Sequence, residues 1–399
     1  MNPAQTQVLR LEQGSGRLKE FRMAVSLHSH THHSHENLEA LPHQTKQFPI
    51  IGKVVESKLE RYTEGCGRVI DFRKLHWTPP VSPSMVLASE TRQIEELGLP
   101  GLVSITDHDS ITAGLSLQSQ ESSVPISVEW TAPFRGDHLH IGVHHLPARH
   151  ANQIMEDLAS CTVQRDEGRL GDLLEYLNEF EDLLLVLNHP CWDVAGVGVD
   201  VHASAVRNFL TQHGQRIHAL EVNGLRSWSE NRDALRMGQE CNIPVVAGGD
   251  RHGCRPNTVL NMSHATTWEE FVMEIRSWRQ GHVLLLPSYE EPLALRQLEV
   301  VADALRYYPS YPYGQRSFMG RTYFDMDGYS CHPLSFYWER GEPLWLRLIT
   351  SFFIALGSSG LRPVLRQTFF RRGEKNLITA SMNDYAALGG SIQKAGRNL

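Results

Sequence analysis

Residues 23–36 read MAVSLHSHTHHSHE, an apolar run that leads directly into five histidines. The run at 23–27 predicts a buried strand. Side chains two residues apart on an extended segment point to the same face, so His28 and His30 are predicted to project together. Two imidazoles placed in this way can share a metal such as zinc. A solvated loop or a tag remnant is the alternative, but a tag would lie at a terminus and would lack the intervening Ser and Thr.

Apolar segments of strand length recur along the chain. Strands are predicted at 23–27, 101–105, 126–130, 139–143, 183–187, 217–222, 243–247 and 282–286. Helical periodicity separates several of them, at 86–97, 170–180 and 268–279, the last with Thr266 or Thr267 as N-cap. Alternation of this kind predicts a parallel α/β architecture, either a barrel or a doubly wound sheet.

Two regions depart from this alternation. Residues 36–85 are rich in proline and indicate an insertion, while residues 291–399 form a C-terminal extension that is aromatic-rich and then amphipathic. We therefore predict a hydrolase domain over 1–290, with the insertion at about 36–85, followed by the extension over 291–399.

The bulk composition restricts the class of protein. Hydrophobic residues make up 41% and charged residues 21% of 399 residues, which is ordinary globular composition. A formal net charge of −7 argues against a protein that binds nucleic acid through bulk electrostatics. The six cysteines are scattered and form no C-x-x-C pair, so a reducing, cytoplasmic location is predicted.

Beyond the segment at 23–27, ligand-type side chains follow, precede or lie within six of the predicted strands. The later ones are, in order, T-D-H-D at 106–109, Glu129, H-L-H at 138–140, N-H-P at 188–190, Glu221 and G-D-R-H at 249–252. Functional groups collect at the carboxyl ends of strands in α/β proteins. A lone His or Glu there is usually structural, but burying this many unpaired polar groups without a cation would cost several kcal/mol each.

The ordered set of motifs H-x-H, T-D-H-D, V-E, H-x-H, N-H-P and G-D-x-H resembles the polymerase-and-histidinol-phosphatase (PHP) superfamily of metal-dependent phosphoesterases. The resemblance covers roughly residues 23–287 apart from the insertion. It implies a distorted, TIM-like barrel of seven β/α units with two or three divalent cations (Zn, Mn or Fe) at its C-terminal face.

The resemblance also implies a ligand set. One metal would be held by His28, His30, Glu129 and Asp250, and a second by His35, His108 and His252. The third would take Glu129, His189 and either His138 or His140, of which His138 is preferred.

Three departures from the family pattern leave the substrate open. The first motif reads S-L-H where the family usually has D-L-H, Arg251 stands where a small residue is usual, and the insertion follows the first motif directly. Arg251, and less surely Arg226 and Arg232, are candidates to bind substrate phosphate, since a guanidinium binds two oxygens at once. Asp107 and Arg251 are the candidate catalytic residues, with Asp107 and Asp109 as partners of ligand imidazoles.

The predicted activity is hydrolysis of a phosphate ester of a small metabolite by a metal-activated water. A phosphodiesterase or exonuclease is the alternative, disfavoured by the net charge, and non-phosphate hydrolysis by the same metals stays open. A binding module with a vestigial site is disfavoured by the complete ligand set.

The C-terminal extension has two interpretations. Residues 344–356 are strongly apolar, and basic residues follow at Arg362, Arg366, Arg371, Arg372 and Lys375. Such a segment can lie on an anionic membrane surface. The favoured alternative is a helix that packs its apolar face on the hydrolase domain or on a partner subunit.

Overall fold

The fold comes from a computed structural model, which describes residues 3–12, 16–38, 49–66, 71–325, 330–338, 341–369 and 391–396. Its strands are β1 (Gln5–Glu12), β2 (Met23–Ser26), β3 (Glu36–Asn37), β4 (Leu75–Trp77), β5 (Gly101–Val103), β6 (Val128–Phe134), β7 (Asp137–His144), β8 (Leu184–Leu187), β9 (Ala219–Asn223), β10 (Val245–Gly248), β11 (Val259–Ser263), β12 (Gln280–Leu285), β13 (Thr322–Asp325), β14 (Cys331–Pro333) and β15 (Ser391–Gly396). All eight predicted strands are confirmed, with shifted ends.

Helices alternate with these strands through most of the chain. They are α1 (Pro49–Cys66), α2 (Pro83–Glu95), α3 (Thr112–Gln118), α4 (Ala151–Gln164), α5 (Glu167–Asn178), α6 (Val199–His213), α7 (Trp228–Glu240), α8 (Trp268–Arg276), α9 (Leu293–Leu305), α10 (Phe318–Arg321), α11 (Leu334–Tyr337), α12 (Leu344–Leu356) and α13 (Arg362–Phe369). The three predicted helices correspond to α2, α5 and α8. Thr267 is the N-cap of α8, because its side chain accepts a hydrogen bond from the Glu270 backbone N–H.

The described strands form three sheets in a mixed α/β fold. Their orders are β15-β1-β12-β11-β2-β5, β10-β9-β8-β7-β6 and β14-β13-β4-β3. The predicted barrel of seven β/α units is not confirmed, because strand pairing in the described residues is interrupted between these sheets. In the described part of the chain, strand pairing between the two large sheets is limited to isolated bridges, Ser29 with Arg251 and His108 with Glu129.

The prediction of a parallel sheet is wrong in part. β6 and β7 pair antiparallel because they are joined directly by Arg135 and Gly136, with φ of 51° and 78°. Two successive residues with positive φ form the tight hairpin turn that matches strand twist. No crossover helix separates these strands, so they cannot run parallel. Strands β8, β9 and β10 do pair parallel, as predicted.

The hydrophobic core lies between the five-stranded sheet and its helices. Trp130 on β6, Phe209 on α6 and Leu174 on α5 have no exposed surface. A second cluster fills the space under β1, β2, β11 and β12. These layers fix the strand ends from which the ligand-type side chains project.

The insertion and the C-terminal extension meet in the four-stranded sheet. β3 and β4 belong to the insertion and β13 and β14 to the extension, and each neighbouring pair is antiparallel. The extension also returns to the first sheet, where β15 pairs parallel with β1. The boundary predicted near residue 290 stays a prediction.

Helix α12 packs on α9 and leaves an apolar stripe uncovered. Gly357 lies against α9 so closely that a Cβ there would meet the Ala302 side chain at 2.2 Å. Thr350 is the only buried residue of α12, while Leu344, Leu348 and Phe352 are exposed. Within the described residues, no helix is long and apolar enough to cross a membrane. Arg371, Arg372 and Lys375 lie outside those residues, so membrane contact or self-association stays a prediction.

Candidate metal centre

The predicted ligand motifs converge on one buried cluster. Four overlapping groups of side chains have ligand atoms within 4.8 Å of one another: His28 with His30 and Asp250; His28 with Glu129 and His189; His108 with Glu129 and His140; and Glu36 with His30, His108 and His252. Seven of the nine predicted metal ligands lie in this cluster. The exceptions are His35 and His138, and the cluster contains Glu36 and His140 in addition.

Main-chain pairing at the sheet edges brings these residues together. The Asp250 N–H donates to the His28 carbonyl at 2.7 Å, and the His30 N–H donates to the Arg251 carbonyl at 2.8 Å. At the other edge, the Glu129 N–H donates to the Asp107 carbonyl at 3.2 Å. The residues at both isolated bridges between the large sheets therefore contribute side chains to the cluster.

Several of these residues adopt a backbone conformation that side chains rarely take. His28, Asp250 and His189 have φ of 63°, 54° and 28°. A non-glycine residue in this region costs on the order of 1 kcal/mol or more, and such residues concentrate at functional sites. The positive φ of His28, after β2, and of Asp250, after β10, directs each of these side chains into the cluster.

Glu129 lies at the centre of the cluster and divides it in two. Its Oε2 is 3.1 Å from His28 Nε2, 3.3 Å from His30 Nε2 and 3.2 Å from His108 Nε2. Its Oε1 is 3.3 Å from His140 Nδ1 and 3.2 Å from His189 Nε2. One carboxylate with an oxygen in each half is the arrangement expected of a ligand shared between neighbouring cations.

The hydrogen-bond partners of His28 and His30 direct their Nε2 atoms toward each other, so a proton or a cation must lie between them. His28 Nδ1 lies 2.5 Å from Glu221 Oε1, and His30 Nδ1 lies 3.1 Å from Ser34 Oγ, so each outer nitrogen has an acceptor. The two Nε2 atoms then face each other at 3.1 Å. Two bare lone pairs repel at this distance, whereas ligands of one tetrahedral zinc are about 3.4 Å apart. This donor set therefore fits divalent transition metals.

Buried carboxylates hold the outer nitrogens in place. Glu221 accepts from His28 and also from the His189 N–H at 2.8 Å, so it serves two ligands. Oδ2 of Asp250 accepts hydrogen bonds from Arg226 Nη2 at 3.2 Å and from Asn223 Nδ2 at 3.3 Å. Partners of this kind fix the orientation and basicity of metal ligands.

Burial and mutual charge shift the pKa values of the cluster. Burial raises the pKa of Glu129, but the neighbouring His28, His108 and His140 outweigh this and hold it well below its usual value. Burial lowers the pKa of His252, but Glu36 and Asp250 raise it to about 9. The metal-free cluster thus holds protons on imidazoles that a cation would displace, so metal affinity should rise with pH.

His35 does not reach the cluster. It is exposed and stacks on His76, with ring centroids 4.7 Å apart, whereas the next residue faces inward. Glu36 Oε2 lies 3.0 Å from His252 Nε2 and 3.4 Å from His108 Nε2, where His35 was predicted. Successive side chains of a strand point to opposite faces, so only one of the two can be a ligand. The insertion itself therefore supplies a ligand that the sequence analysis missed.

His138 is displaced along its strand rather than turned away. In the β6–β7 pairing, His140 lies opposite Thr131 and His138 lies opposite Pro133. Both histidines share a face with Glu129, but His138 is two residues further from it, which is about 7 Å. His140 Nδ1 lies 3.3 Å from His189 Nε2, so His140 is the residue that joins the cluster. The structure therefore favours His140 as the candidate ligand over His138, which the sequence analysis preferred.

The guanidinium of Arg251 forms its hydrogen bonds with other groups of the protein. Its Nη1 donates to Glu90 at 2.8 Å and to Ser89 at 2.6 Å, and its Nε and Nη2 donate to the Gly253 and Cys254 carbonyls. With 4% of its surface exposed and a hydrogen bond from each guanidinium nitrogen, Arg251 gives no support to the substrate-binding and catalytic roles predicted for it. The backbone bridge after β10 turns this side chain away from the cluster.

The carboxylates of Asp107 and Asp109 accept hydrogen bonds from backbone N–H groups of the protein. Asp107 accepts hydrogen bonds from the backbone N–H and hydroxyl of Thr31, and burial raises its pKa to about 7. It therefore orders the loop between His30 and Ser34, and the catalytic role predicted for it is not supported. The exposed Asp109 accepts from the Thr131 N–H at 2.9 Å.

Of the two remaining arginines, only one adjoins the cluster. The Arg226 guanidinium lies 3.3 Å from the ring centroid of Trp192, and Trp192 packs against His189. Arg226 also pairs with Asp250. Arg232 lies on α7 with Nε 3.8 Å from Asp233, and no described contact joins it to the cluster.

Comparisons with known proteins leave the family open. No protein-family model matches the chain, and no curated protein sequence does either. Its fold is similar to the crystal structure of PsfC from Pseudomonas syringae PB-5123, at 12% identity and a TM-score of 0.35, over 51% of this chain and 82% of that one. It is also similar to a protein of Bifidobacterium adolescentis ATCC 15703, provisionally assigned as a metal-dependent phosphoesterase. That match has 16% identity and a TM-score of 0.30, over 51% of this chain and 92% of the other.

Replacement of Glu36 should remove one metal. Glu36→Gln takes away the charged oxygen between His108 and His252, and we expect a loss of about one bound equivalent. His35→Phe is the matched control, because it removes the neighbouring imidazole nitrogen but keeps an aromatic ring. Elemental analysis of both purified variants checks this. Loss of metal in His35→Phe, with Glu36→Gln unaffected, would restore the original assignment.

His140 and His138 of β7 should differ in the same way. His140→Ala should lose the metal next to Glu129 Oε1 and His189, while His138→Ala should keep the metal content of the unaltered protein. Titration with Zn²⁺ after chelation, followed by calorimetry, measures the difference. Equal affinities in both variants would show that His140 is not a ligand.

Arg251 should contribute to stability. Arg251→Met leaves the Glu90 carboxylate buried without its cation, and breaking such a pair costs roughly 3–5 kcal/mol of unfolding free energy. The double variant Arg251→Met/Glu90→Gln should recover part of this, because no buried charge is left unpaired. Urea unfolding measures both. A fully stable Arg251→Met protein that is impaired only in substrate affinity would contradict the structural role.

Proposed function

We propose that this chain is a metal-dependent phosphoesterase of the PHP superfamily, which hydrolyses a phosphate ester of a small metabolite at a trinuclear centre. The shared position of Glu129, with one oxygen in each half of the histidine cluster, is the observation that carries the proposal. Six histidines among the candidate ligands favour Zn, Mn or Fe over Mg or Ca, which prefer all-oxygen sites.

Three metal positions account for every member of the cluster. The first would use His28, His30 and Asp250; the second Glu36, His108 and His252; and the third His140 and His189. Glu129 would contribute to all three, since its oxygens face ligands of each. When bound, such cations generate a hydroxide nucleophile near neutral pH and neutralise charge on the phosphoryl oxygens.

The barrel expected from the family is proposed as the frame of this centre. Strands β5 and β2 lie at one end of the first sheet, and β6 and β10 lie at the two ends of the second. The bridges Ser29–Arg251 and His108–Glu129 join these ends in pairs. A ring of β2 and β5 to β10, closed by single bridges, would form the proposed distorted seven-stranded barrel, in which functional residues occupy the strand ends.

Arg226 is the residue proposed to orient the substrate phosphate. Stacking on Trp192 and pairing with Asp250 fix its guanidinium beside the cluster, and no hydrogen bond to its Nη1 is found among the described residues. A guanidinium held in this way keeps its Nη1 to donate to a phosphate oxygen and discriminates against uncharged esters. This favours phosphate chemistry over the hydrolysis of carboxylic esters by the same metals.

A substrate panel tests the proposed activity. Protein reconstituted with Zn²⁺, Mn²⁺ or Fe²⁺ should hydrolyse p-nitrophenyl phosphate, and chelation should abolish this. Glu129→Gln should lose metal and activity together, because the carboxylate is shared. Asp109→Asn, a matched change of an exposed carboxylate, should lose about tenfold or less. Turnover of bis-p-nitrophenyl phosphate alone would identify a diesterase, and turnover of p-nitrophenyl acetate alone would contradict phosphate chemistry.

A further inference from the structure

The four-stranded sheet presents two different faces. Glu36 lies opposite Trp77 on β4, and Trp77 lies opposite Thr322 on β13, so these three residues share a face. That face is turned to the metal centre, because Glu36 contacts His252 and the Trp77 ring lies 6.1 Å from the His252 ring. The alternating residues lie on the outer face.

Three aromatic rings form a continuous stack on the outer face. His35 stacks on His76 with ring centroids 4.7 Å apart and an interplanar angle of 27°. His76 stacks on Tyr323 with centroids 5.0 Å apart and an angle of 6°. The stack crosses from the loop before β3, over β4, to β13 of the C-terminal extension. Cross-strand aromatic pairs of this kind stabilise one pairing of the strands over others.

The register of β3 needs such support. β3 has only two residues, Glu36 and Asn37, and it is the edge strand of the sheet. A shift of register by one residue moves every side chain to the opposite face. The shifted pairing would bring His35 to the metal centre and carry Glu36 out to solvent. The two residue pairs of β3, with the hydrogen bond from the Leu38 N–H to the Leu75 carbonyl at 3.1 Å, leave the choice of ligand poorly determined.

Resting on the metal centre proposed above, we infer that the His35–His76–Tyr323 stack sets the register of β3 and thereby selects Glu36 as the ligand. His76 and Tyr323 are positioning residues, since they act through Glu36 and do not touch the other ligands. The C-terminal extension therefore completes the metal centre, because Tyr323 anchors the far end of the stack. Trp77, on the opposite face of the same strand, is held over His252 by the same pairing.

Metal stoichiometry of the full-length protein tests this inference. Tyr323→Ala should weaken metal binding at the position that includes Glu36 by about tenfold or more. In a buffered Zn²⁺ solution the variant should therefore lose about one bound equivalent, while the other two positions stay filled. Tyr323→Phe keeps the ring and should bind as the unaltered protein does. Tyr313→Ala serves as the control, because Tyr313 lies in the same extension with 89% of its surface exposed.

A double variant separates positioning from general destabilisation. If Tyr323 acts through Glu36, then Tyr323→Ala/Glu36→Gln should bind metal no more weakly than Glu36→Gln alone. The Co²⁺ absorption spectrum of the loaded protein should change in Tyr323→Ala but not in Tyr323→Phe, since a ligand oxygen is lost. Additive losses, weakening at all positions, or full stoichiometry in Tyr323→Ala would each overturn the inference. Protein that binds metal but hydrolyses no phosphate ester would contradict only the proposed activity.

Discussion

The burial of one carboxylate organises this molecule. Glu129 has no exposed surface, and its two oxygens are within 3.3 Å of five imidazole nitrogens and accept one amide hydrogen from Asn188. An ion of this size loses several kcal/mol of solvation on burial, even after the protein relaxes around it. The histidines offset that cost only if cations or protons fill the space between their lone pairs. Metal binding and the folding of this region are therefore expected to be coupled.

The need to surround the buried Glu129 carboxylate with ligand side chains explains why the strand ends are irregular. Regular pairing between the two large sheets would place side chains alternately inward and outward, and it would not bring ligands from six strands to one point. Isolated bridges and left-handed residues such as His28 and Asp250 break the regular pattern where the ligands must turn inward. Buried partners, Glu221 for His28 and Arg226 for Asp250, then hold the orientation that the backbone has set.

The regions outside the α/β alternation have a part in this centre. The insertion contributes Glu36 and Trp77, and the C-terminal extension pairs with the insertion through β13. Residues nearly 300 positions apart in the chain thus share one small sheet beside the metals. A centre assembled in this way would respond to changes in the extension, although none of the extension's described side chains is a candidate ligand.

Local sequence determined eight of the strands, three of the helices and most of the candidate ligands, because each of these depends on side chains that are neighbours in the chain. An apolar run followed by His28 and His30 indicates a strand and its end without knowledge of the rest of the fold. Where two nearby residues could both serve as a metal ligand, only the tertiary structure decided which of them lies at the site. His140 and His138 lie on one face of β7, and only the register of β7 against β6 places His140 near Glu129. Glu36 begins the two-residue strand β3 and His35 directly precedes it, and only the pairing of β3 with β4, about 40 residues away, decides which of them faces inward. Arg251 follows a ligand in sequence, but its partner Glu90 lies 161 residues away, and a buried ion pair leaves it no capacity for substrate.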